Sequence, residues 1–187
     1  VTATCTITAA ATGTGNNGAS VTQIIFDDIK ETAVDTSTES NYVSFKTSSN
    51  FSYTVYGKGD GKSSTKVGNS QNYVTATGES KVTGKCINFQ GGASLSGSTI
   101  KSCIEFVAPS SAKKVTVQFY NGNSDRSINL LDGSTAKNGT VKTAGKVSAS
   151  DSTEYPLLTS ESFSITGGNT IRLGGSGGIY ILSIKIE

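Results

Sequence analysis

The chain of 187 residues contains no His, no Trp and no Met. Because His is the commonest general base and a common metal ligand, its absence excludes Ser-His-Asp and Cys-His catalysis. The missing initiator Met predicts a processed chain or a piece of a longer one, and we expect any secretion signal to lie upstream. These absences make an enzyme the least favoured class.

Charge and long apolar runs are also scarce. Charged residues make up 16% and hydrophobic residues 34% of the chain, and the net charge is only +2. So small a positive excess gives no argument for nucleic-acid binding, and no stretch approaches the roughly 18 apolar residues of a membrane helix. We therefore expect neither a nucleic-acid nor a membrane partner. The length suits one domain of ordinary size, and we expect a monomer.

The three cysteines are Cys5, Cys86 and Cys103. An odd number argues against a disulfide framework, and three scattered Cys without His do not make a tetrahedral zinc site. Cys86 and Cys103 have the same predicted outward direction, and the segment QGGASLSGS between them could turn one strand back beside the other. Two interpretations stay open: a disulfide, which needs Cα atoms within about 7 Å, or two reduced, half-buried thiols.

What the chain does have is short β-strand patterns separated by Gly, Asn and Ser clusters. Even spacing with turn signals is typical of a sandwich or barrel, and no helical periodicity is sustained. The predicted fold class is all-β, an antiparallel β-sandwich of jelly-roll type. The predicted strands are Gln23–Asp28, Tyr42–Thr47, Phe51–Tyr56, Asn72–Ala76, Lys85–Phe89, Ile100–Val107, Lys114–Tyr120, Arg126–Leu131, Ser162–Ile165, Thr170–Leu173 and Ile179–Ile186.

Residues 1–19 are set apart from a main domain of residues 20–187. Val1–Ala9 alternates as one strand, and ATGTGNNGAS is typical of a flexible linker. The strand is either the first of the main sandwich or the last of a preceding domain. The second interpretation follows from its resemblance to the closing strand of bacterial Ig-like repeats.

Alternation along each strand predicts which side chains face the core. Val115, Val117 and Phe119 face inward, so Lys114 and Tyr120 face outward. In the last strand Tyr180, Leu182, Ile184 and Ile186 are assigned to the inner face, but Ile179 and Ile181 are apolar as well. That strand is therefore predicted to be central and covered on both sides.

The cluster GGSGG at 174–178 could suggest a phosphate-binding loop. Such a loop must lead into a helix N-terminus, whereas here it leads into the β-branched run IYILSIKI. We therefore predict a hairpin turn in which glycines supply positive φ.

The carboxylates fall mostly in predicted turns, where Asp accepts hydrogen bonds from backbone amides. Nothing marks a pair held about 5–9 Å apart across a cleft, as glycoside hydrolysis requires. A structural Ca²⁺ ion is the cofactor that the oxygen-rich segments FDD and NGNSD allow, and no cofactor is required.

The candidate binding residues are basic or aromatic and have predicted outward or loop positions. They are Lys101, Lys114, Tyr120, Arg126 and Arg172. Cations spread over a β face suit the carboxylates of an acidic polymer. The alternative is an ordinary solvated face, since exposed Lys is common on any protein.

From about Gly84 to Glu187 the chain resembles a known class of module. The segments are CINFQGG, SCIEFVAPSSAKKVTVQFYNGNSDRSINLLDG and ESFSITGGNTIRLGGSGGIYILSIKIE. They are similar to the β-sandwich modules appended to secreted bacterial pectate lyases and related plant-cell-wall enzymes, in particular to pectin-binding carbohydrate-binding modules of family 77. The resemblance implies a non-catalytic domain that holds polygalacturonate through lysines rather than stacked aromatics, which agrees with the missing Trp.

The sequence therefore predicts a non-catalytic carbohydrate-binding module of a secreted or cell-surface protein. Its expected partners are an acidic polysaccharide, pectin above all, and a linked catalytic domain that it would tether to the wall. In this hypothesis Lys101, Lys114, Arg126 and Arg172 engage uronate carboxylates and Tyr120 packs on a sugar ring. The alternative is a structural spacer or adhesion module without a soluble glycan ligand.

Overall fold

The computed structural model of the chain describes residues 21–34, 42–57, 65–89, 95–96, 99–100, 102–122, 124–143, 145–175 and 178–187. The N-terminal strand and linker predicted for residues 1–19 lie outside these ranges. In the described part every regular element is a β-strand. No helix there is long and apolar enough to cross a membrane.

The strands are numbered in chain order. They are β1 Thr22–Ile25, β2 Thr32–Val34, β3 Tyr42–Lys46, β4 Ser52–Tyr56, β5 Thr65–Tyr73, β6 Val82–Phe89, β7 Leu95–Ser96, β8 Thr99–Ile100, β9 Cys103–Val107, β10 Lys114–Asn121, β11 Ile128–Asp132, β12 Thr135–Asn138, β13 Lys146–Ser148, β14 Glu154–Pro156, β15 Thr159–Ser164, β16 Thr170–Gly175 and β17 Ile179–Ile186.

Two large antiparallel sheets form a sandwich, which confirms the predicted fold class. The seven-stranded sheet has the order β15-β10-β17-β6-β5-β2, with β1 also paired to β17, and the six-stranded sheet has the order β12-β11-β16-β9-β4-β3. Two small hairpins, β7-β8 and β13-β14, complete the described strands. Each large sheet buries one face against the other, so the period-two alternation of the sequence becomes an inner and an outer surface.

The core contains the inward residues that alternation predicts in most strands. Val115, Val117 and Phe119 of β10 are inaccessible to solvent, as are Ile104 of β9 and Leu173 of β16. The prediction that β17 is central and covered on both sides is also confirmed, because it lies between β10 and β6 and is buried along most of its length.

The inner assignment of Tyr180 and Leu182 is wrong. A β-bulge shifts the register of β10 and β17 between Gln118 and Phe119, and an extra residue reverses the alternation beyond it. Ile181 therefore joins the main core, whereas Tyr180 and Leu182 pack on the outer side with Tyr120.

The prediction of a hairpin at GGSGG is also wrong. β16 belongs to the six-stranded sheet and β17 to the seven-stranded sheet, so the connection crosses the sandwich instead of joining neighbouring strands. Gly178 has φ of 58°, a positive value as expected for a turn glycine. Residues 176–177 lie outside the described ranges.

Candidate functional site

The predicted binding residues do not lie on one surface. Lys114 is on β10, on the outer face of the seven-stranded sheet, whereas Arg172 is on β16, on the outer face of the six-stranded sheet. Arg126 precedes β11 at one end of the sandwich, where its backbone bridges to Lys142. Lys101 lies outside the described residues. Alternation within single strands could not show that Lys114 and Arg172 point to opposite sides of the molecule.

The expectation that Tyr120 presents an exposed ring to a sugar is wrong. Tyr120 does lie on the outer side of β10, but it is only 2% exposed. Its ring stacks between Tyr180, with centroids 4.8 Å apart, and Tyr73, at 6.1 Å. The neighbouring rings cover Tyr120, so neither of its faces is left for a sugar.

The predicted cations also have partners of their own. Lys114 forms an ion pair with Glu187 at 2.9 Å. Arg126 donates from Nη1 to the carbonyl oxygen of Asp125 at 3.3 Å, whereas its Nε is buried and has no hydrogen-bond partner in the described part of the chain. Arg172 donates from Nε to Oε2 of Glu105 at 2.5 Å, while its side chain stays 45% exposed. Of the three, Arg172 is the one that borders a broad open surface.

That surface is a groove of about 500 Å³ that crosses β3, β4, β9 and the start of β16. Strand register places its outward residues in two rows. One row joins Ser44, Thr54 and Glu105, and the other contains the pairs Lys46–Ser52 and Val107–Thr170. Arg172 lies beside the groove, directly across from Glu105. The volume lies within the range of ligand-binding clefts, about 300–1,000 Å³. We call this surface the transverse groove.

Three side chains form a hydrogen-bonded network at the groove. The Tyr56 hydroxyl donates a hydrogen bond to Oε1 of Glu105 at 3.4 Å, and Oε2 of Glu105 accepts the hydrogen bond from Arg172 Nε. Tyr56 also packs against Ile100, Cys103 and Leu131, a small buried cluster on the outer side of the sheet. Tyr56 thereby connects the ion pair of Glu105 and Arg172 to a buried apolar cluster.

The chemistry of this network suits binding rather than proton transfer. Burial and the neighbouring Glu105 carboxylate raise the pKa of Tyr56, so the phenol stays protonated. The hydrogen bond to Glu105 raises the pKa of the Arg172 guanidinium, which keeps it charged. A base that abstracts protons near neutral pH needs a pKa near the working pH, and neither group has one.

The charge of the groove is mixed with a small positive excess. The cation Lys46 and the carboxylate Glu105 line it, and the cation Arg172 lies beside it, across from Glu105. Lys46 is exposed and, in the described ranges, has no ion-pair partner. An aromatic edge completes the surface, since Tyr42, 49% exposed, lies 5.5 Å from Tyr56 between ring centroids.

Sequence reasoning missed Lys46, Tyr42, Tyr56 and Glu105 as site residues. The signal was present: the runs YVSFK and SYTVY alternate on either side of the turn TSSN, which is typical of a hairpin. Its register places Tyr42 opposite Tyr56 and Lys46 opposite Ser52. The pairing of β9 with β4 could not be predicted, because 46 residues separate the two strands in the sequence.

The possible disulfide between Cys86 and Cys103 is contradicted, and both cysteines are free and buried. Cys86 lies on β6 in the seven-stranded sheet, and Cys103 lies on β9 in the six-stranded sheet. The connection between them crosses from one sheet to the other rather than folding back as a hairpin. Burial raises the pKa of each thiol to about 12.

Among the described residues no group of three or more His, Cys, Asp or Glu side chains could hold a metal ion. Calcium binding by the Asp, Asn and carbonyl oxygens of FDD or NGNSD stays a prediction. In the first segment, Oδ1 of Asp27 accepts a hydrogen bond from the backbone nitrogen of Lys85 at 3.5 Å.

No protein-family model matches the chain, and no curated protein matches it. Among solved structures, a Podospora anserina GH26-CBM35 β-(1,4)-mannanase is similar, with 15% sequence identity and a TM-score of 0.36. The match covers 72% of this chain and 27% of the mannanase chain. A Clostridium thermocellum endo-1,4-β-xylanase 10B with CBM22-1 and GH10 modules, complexed with xylohexaose, has 11% identity, a TM-score of 0.31, and coverage of 63% and 24%. The chain spans about a quarter of the length of either protein. Likenesses this distant do not bear on its ligand.

Proposed function

We propose that residues 20–187 form a non-catalytic carbohydrate-binding module that holds an acidic polysaccharide, pectin, in the transverse groove. The observation that carries this proposal is an open groove across four strands, lined by hydroxyl, charged and apolar groups, with the exposed cation Lys46 in it and the exposed cation Arg172 beside it. Strand spacing of about 4.8 Å puts β3 and β16 roughly 14 Å apart. A chain ligand can contact both Lys46 and Arg172, whereas a single sugar cannot.

The side chains of the groove fit a sugar acid. Ser44, Ser52, Thr54 and Thr170 offer small hydroxyl groups that both donate and accept hydrogen bonds. Lys46 and Arg172 supply charge for carboxylates, and one more cation than anion favours a polyanion. The exposed Tyr42 offers a ring face at the side of the groove.

The wider setting is part of the same proposal. We place the module in a secreted or cell-surface protein, where it raises the local concentration of a linked catalytic domain at the polysaccharide. Binding needs no cofactor in this account, and the module acts as a monomer.

Affinity electrophoresis tests the proposal. The protein is run through gels that contain polygalacturonate, esterified pectin, xylan, glucan or cellulose, at low and at high salt. We expect retardation in polygalacturonate that salt weakens, since exposed charges are screened over about 10 Å at 0.1 M salt. Retardation by a neutral glycan alone would contradict the acidic ligand. Free migration in every gel would contradict glycan binding and favour a structural spacer.

A further inference from the structure

The guanidinium group of Arg172 is held along one edge. Glu105 lies directly across from it on β9 and accepts the Nε hydrogen bond at 2.5 Å. The side chain is nevertheless 45% exposed. In the described part of the chain the two terminal nitrogens have no acceptor, so they are the donors that remain for a ligand.

Glu105 is itself held from its other side. The Tyr56 hydroxyl donates to Oε1, and Tyr56 packs on the buried cluster of Ile100, Cys103 and Leu131. An exposed Arg loses considerable rotamer freedom when a ligand immobilises it. The chain of contacts from the buried cluster through Tyr56 and Glu105 restricts that freedom before a ligand arrives.

We propose that Glu105 is a positioning residue, which holds Arg172 so that its two terminal nitrogens bind one carboxylate of the ligand. This inference rests on the proposed function. A free carboxylate matches the planar pair of donors with two charged oxygens. A methyl ester has no charge and only one good acceptor, so the arrangement selects free sugar acids over their esters.

The test compares dissociation constants for polygalacturonate and for highly methyl-esterified pectin of matched chain length. Four proteins are measured: wild type, Arg172→Lys, Glu105→Ala and Glu105→Gln, each with an unfolding midpoint as a check on the fold. For wild type we expect about a ten-fold preference for the free acid, equivalent to one good charge-assisted contact. Arg172→Lys keeps the charge but loses the planar pair of donors, and should reduce the preference to about two-fold.

Glu105 separates positioning from simple charge. Glu105→Ala removes a negative charge, yet the preference should fall, because Arg172 is no longer held. Glu105→Gln should retain most of the preference, since its carboxamide oxygen still accepts from Nε. If Glu105 acts only as a charge, both variants raise the preference for the free acid, and that result would overturn the inference.

Two further outcomes separate this inference from the proposed function. An unchanged preference in Arg172→Lys would overturn the carboxylate contact while leaving polysaccharide binding intact. If wild type binds neither polymer, the proposed function itself fails, and the positioning role fails with it.

Discussion

At the residue scale, Asp132 is a buried carboxylate that accepts three hydrogen bonds. It ends β11, is 5% exposed, and accepts hydrogen bonds from the Asn169 side chain at 2.8 Å, from Lys137 at 3.0 Å and from the Thr166 backbone at 3.0 Å. Burial alone would raise its pKa, but the hydrogen bonds and the Lys137 charge outweigh burial, so the pKa lies below its ordinary value. Asp132 thereby fixes the turn between β15 and β16.

Asp132→Asn should lower the free energy of unfolding at pH 7 by about 2 kcal/mol, because an amide nitrogen replaces an acceptor among three donors. A depressed native pKa gives stability that is complete above the unfolded pKa of about 4 and is lost as pH falls through the native value. The variant should therefore lose less stability than wild type on acidification. Urea unfolding from pH 7 to pH 2 measures both effects.

Glu154→Gln is the control for this experiment, because Glu154 is exposed at the start of β14. It should change stability by less than about 0.5 kcal/mol. An Asp132→Asn protein as stable as this control at pH 7 would contradict the account of Asp132.

The two buried thiols give a second prediction at the same scale. Because burial raises the pKa of Cys86 and Cys103 to about 12, neither should react with Ellman's reagent at pH 8 in the native state. A Cys5→Ser variant leaves these two as its cysteines. We expect no reaction when it is folded and two reactive thiols after unfolding without reductant. No reactive thiol after unfolding would instead indicate a disulfide.

At the scale of elements, a bulge in β5 depends on one glycine. The register of β5 against β6 shifts between Val67 and Asn69, and Gly68 between them has φ of 75°. A Cβ at Gly68 would lie 2.6 Å from the Ile29 carbonyl oxygen. The left-handed backbone and the close approach together require glycine at this position.

Three Gly→Ala substitutions separate these two causes. Gly68→Ala introduces both backbone strain and a clash, and should lower the free energy of unfolding by more than about 2 kcal/mol. Gly78→Ala, at a position with φ of 81° and open space around it, introduces strain alone and should lower it by about 1 kcal/mol. Gly145, with open space and no positive φ, should change stability by less than about 0.5 kcal/mol or gain slightly. Urea unfolding gives the order, and equal costs at Gly68 and Gly145 would contradict it.

Strands with strong apolar alternation were predictable from the sequence, and polar strands were not. β10 and β17 carry runs of Val, Ile and Phe, and their predicted bounds nearly match. β5 was predicted only near its end, as Asn72–Ala76, because TKVGNSQNY has few apolar residues and its strand depends on pairing with β6 and β2. The predicted strand Ile100–Val107 is divided into β8 and β9.

At the scale of the whole molecule, the sandwich has two outer faces with different contents. Lys114 and the stacked tyrosines lie on the seven-stranded sheet, and the transverse groove lies on the six-stranded sheet. The alternation of side chains along each strand correctly placed Lys114 and Arg172 on the outer faces of their sheets. Which sheet each strand joins depends on pairings between distant parts of the chain, and that is why the site could not be assembled from local pattern.

The most direct test of the account is the affinity for polygalacturonate of Lys46→Gln and Lys114→Gln, two variants with the same change of charge on opposite faces. We predict that Lys46→Gln weakens binding about five-fold, equivalent to one exposed charge contact of about 1 kcal/mol. Lys114→Gln should bind as wild type does. Weaker binding by Lys114→Gln together with unchanged binding by Lys46→Gln would contradict the groove as the binding site and place the ligand on the seven-stranded sheet.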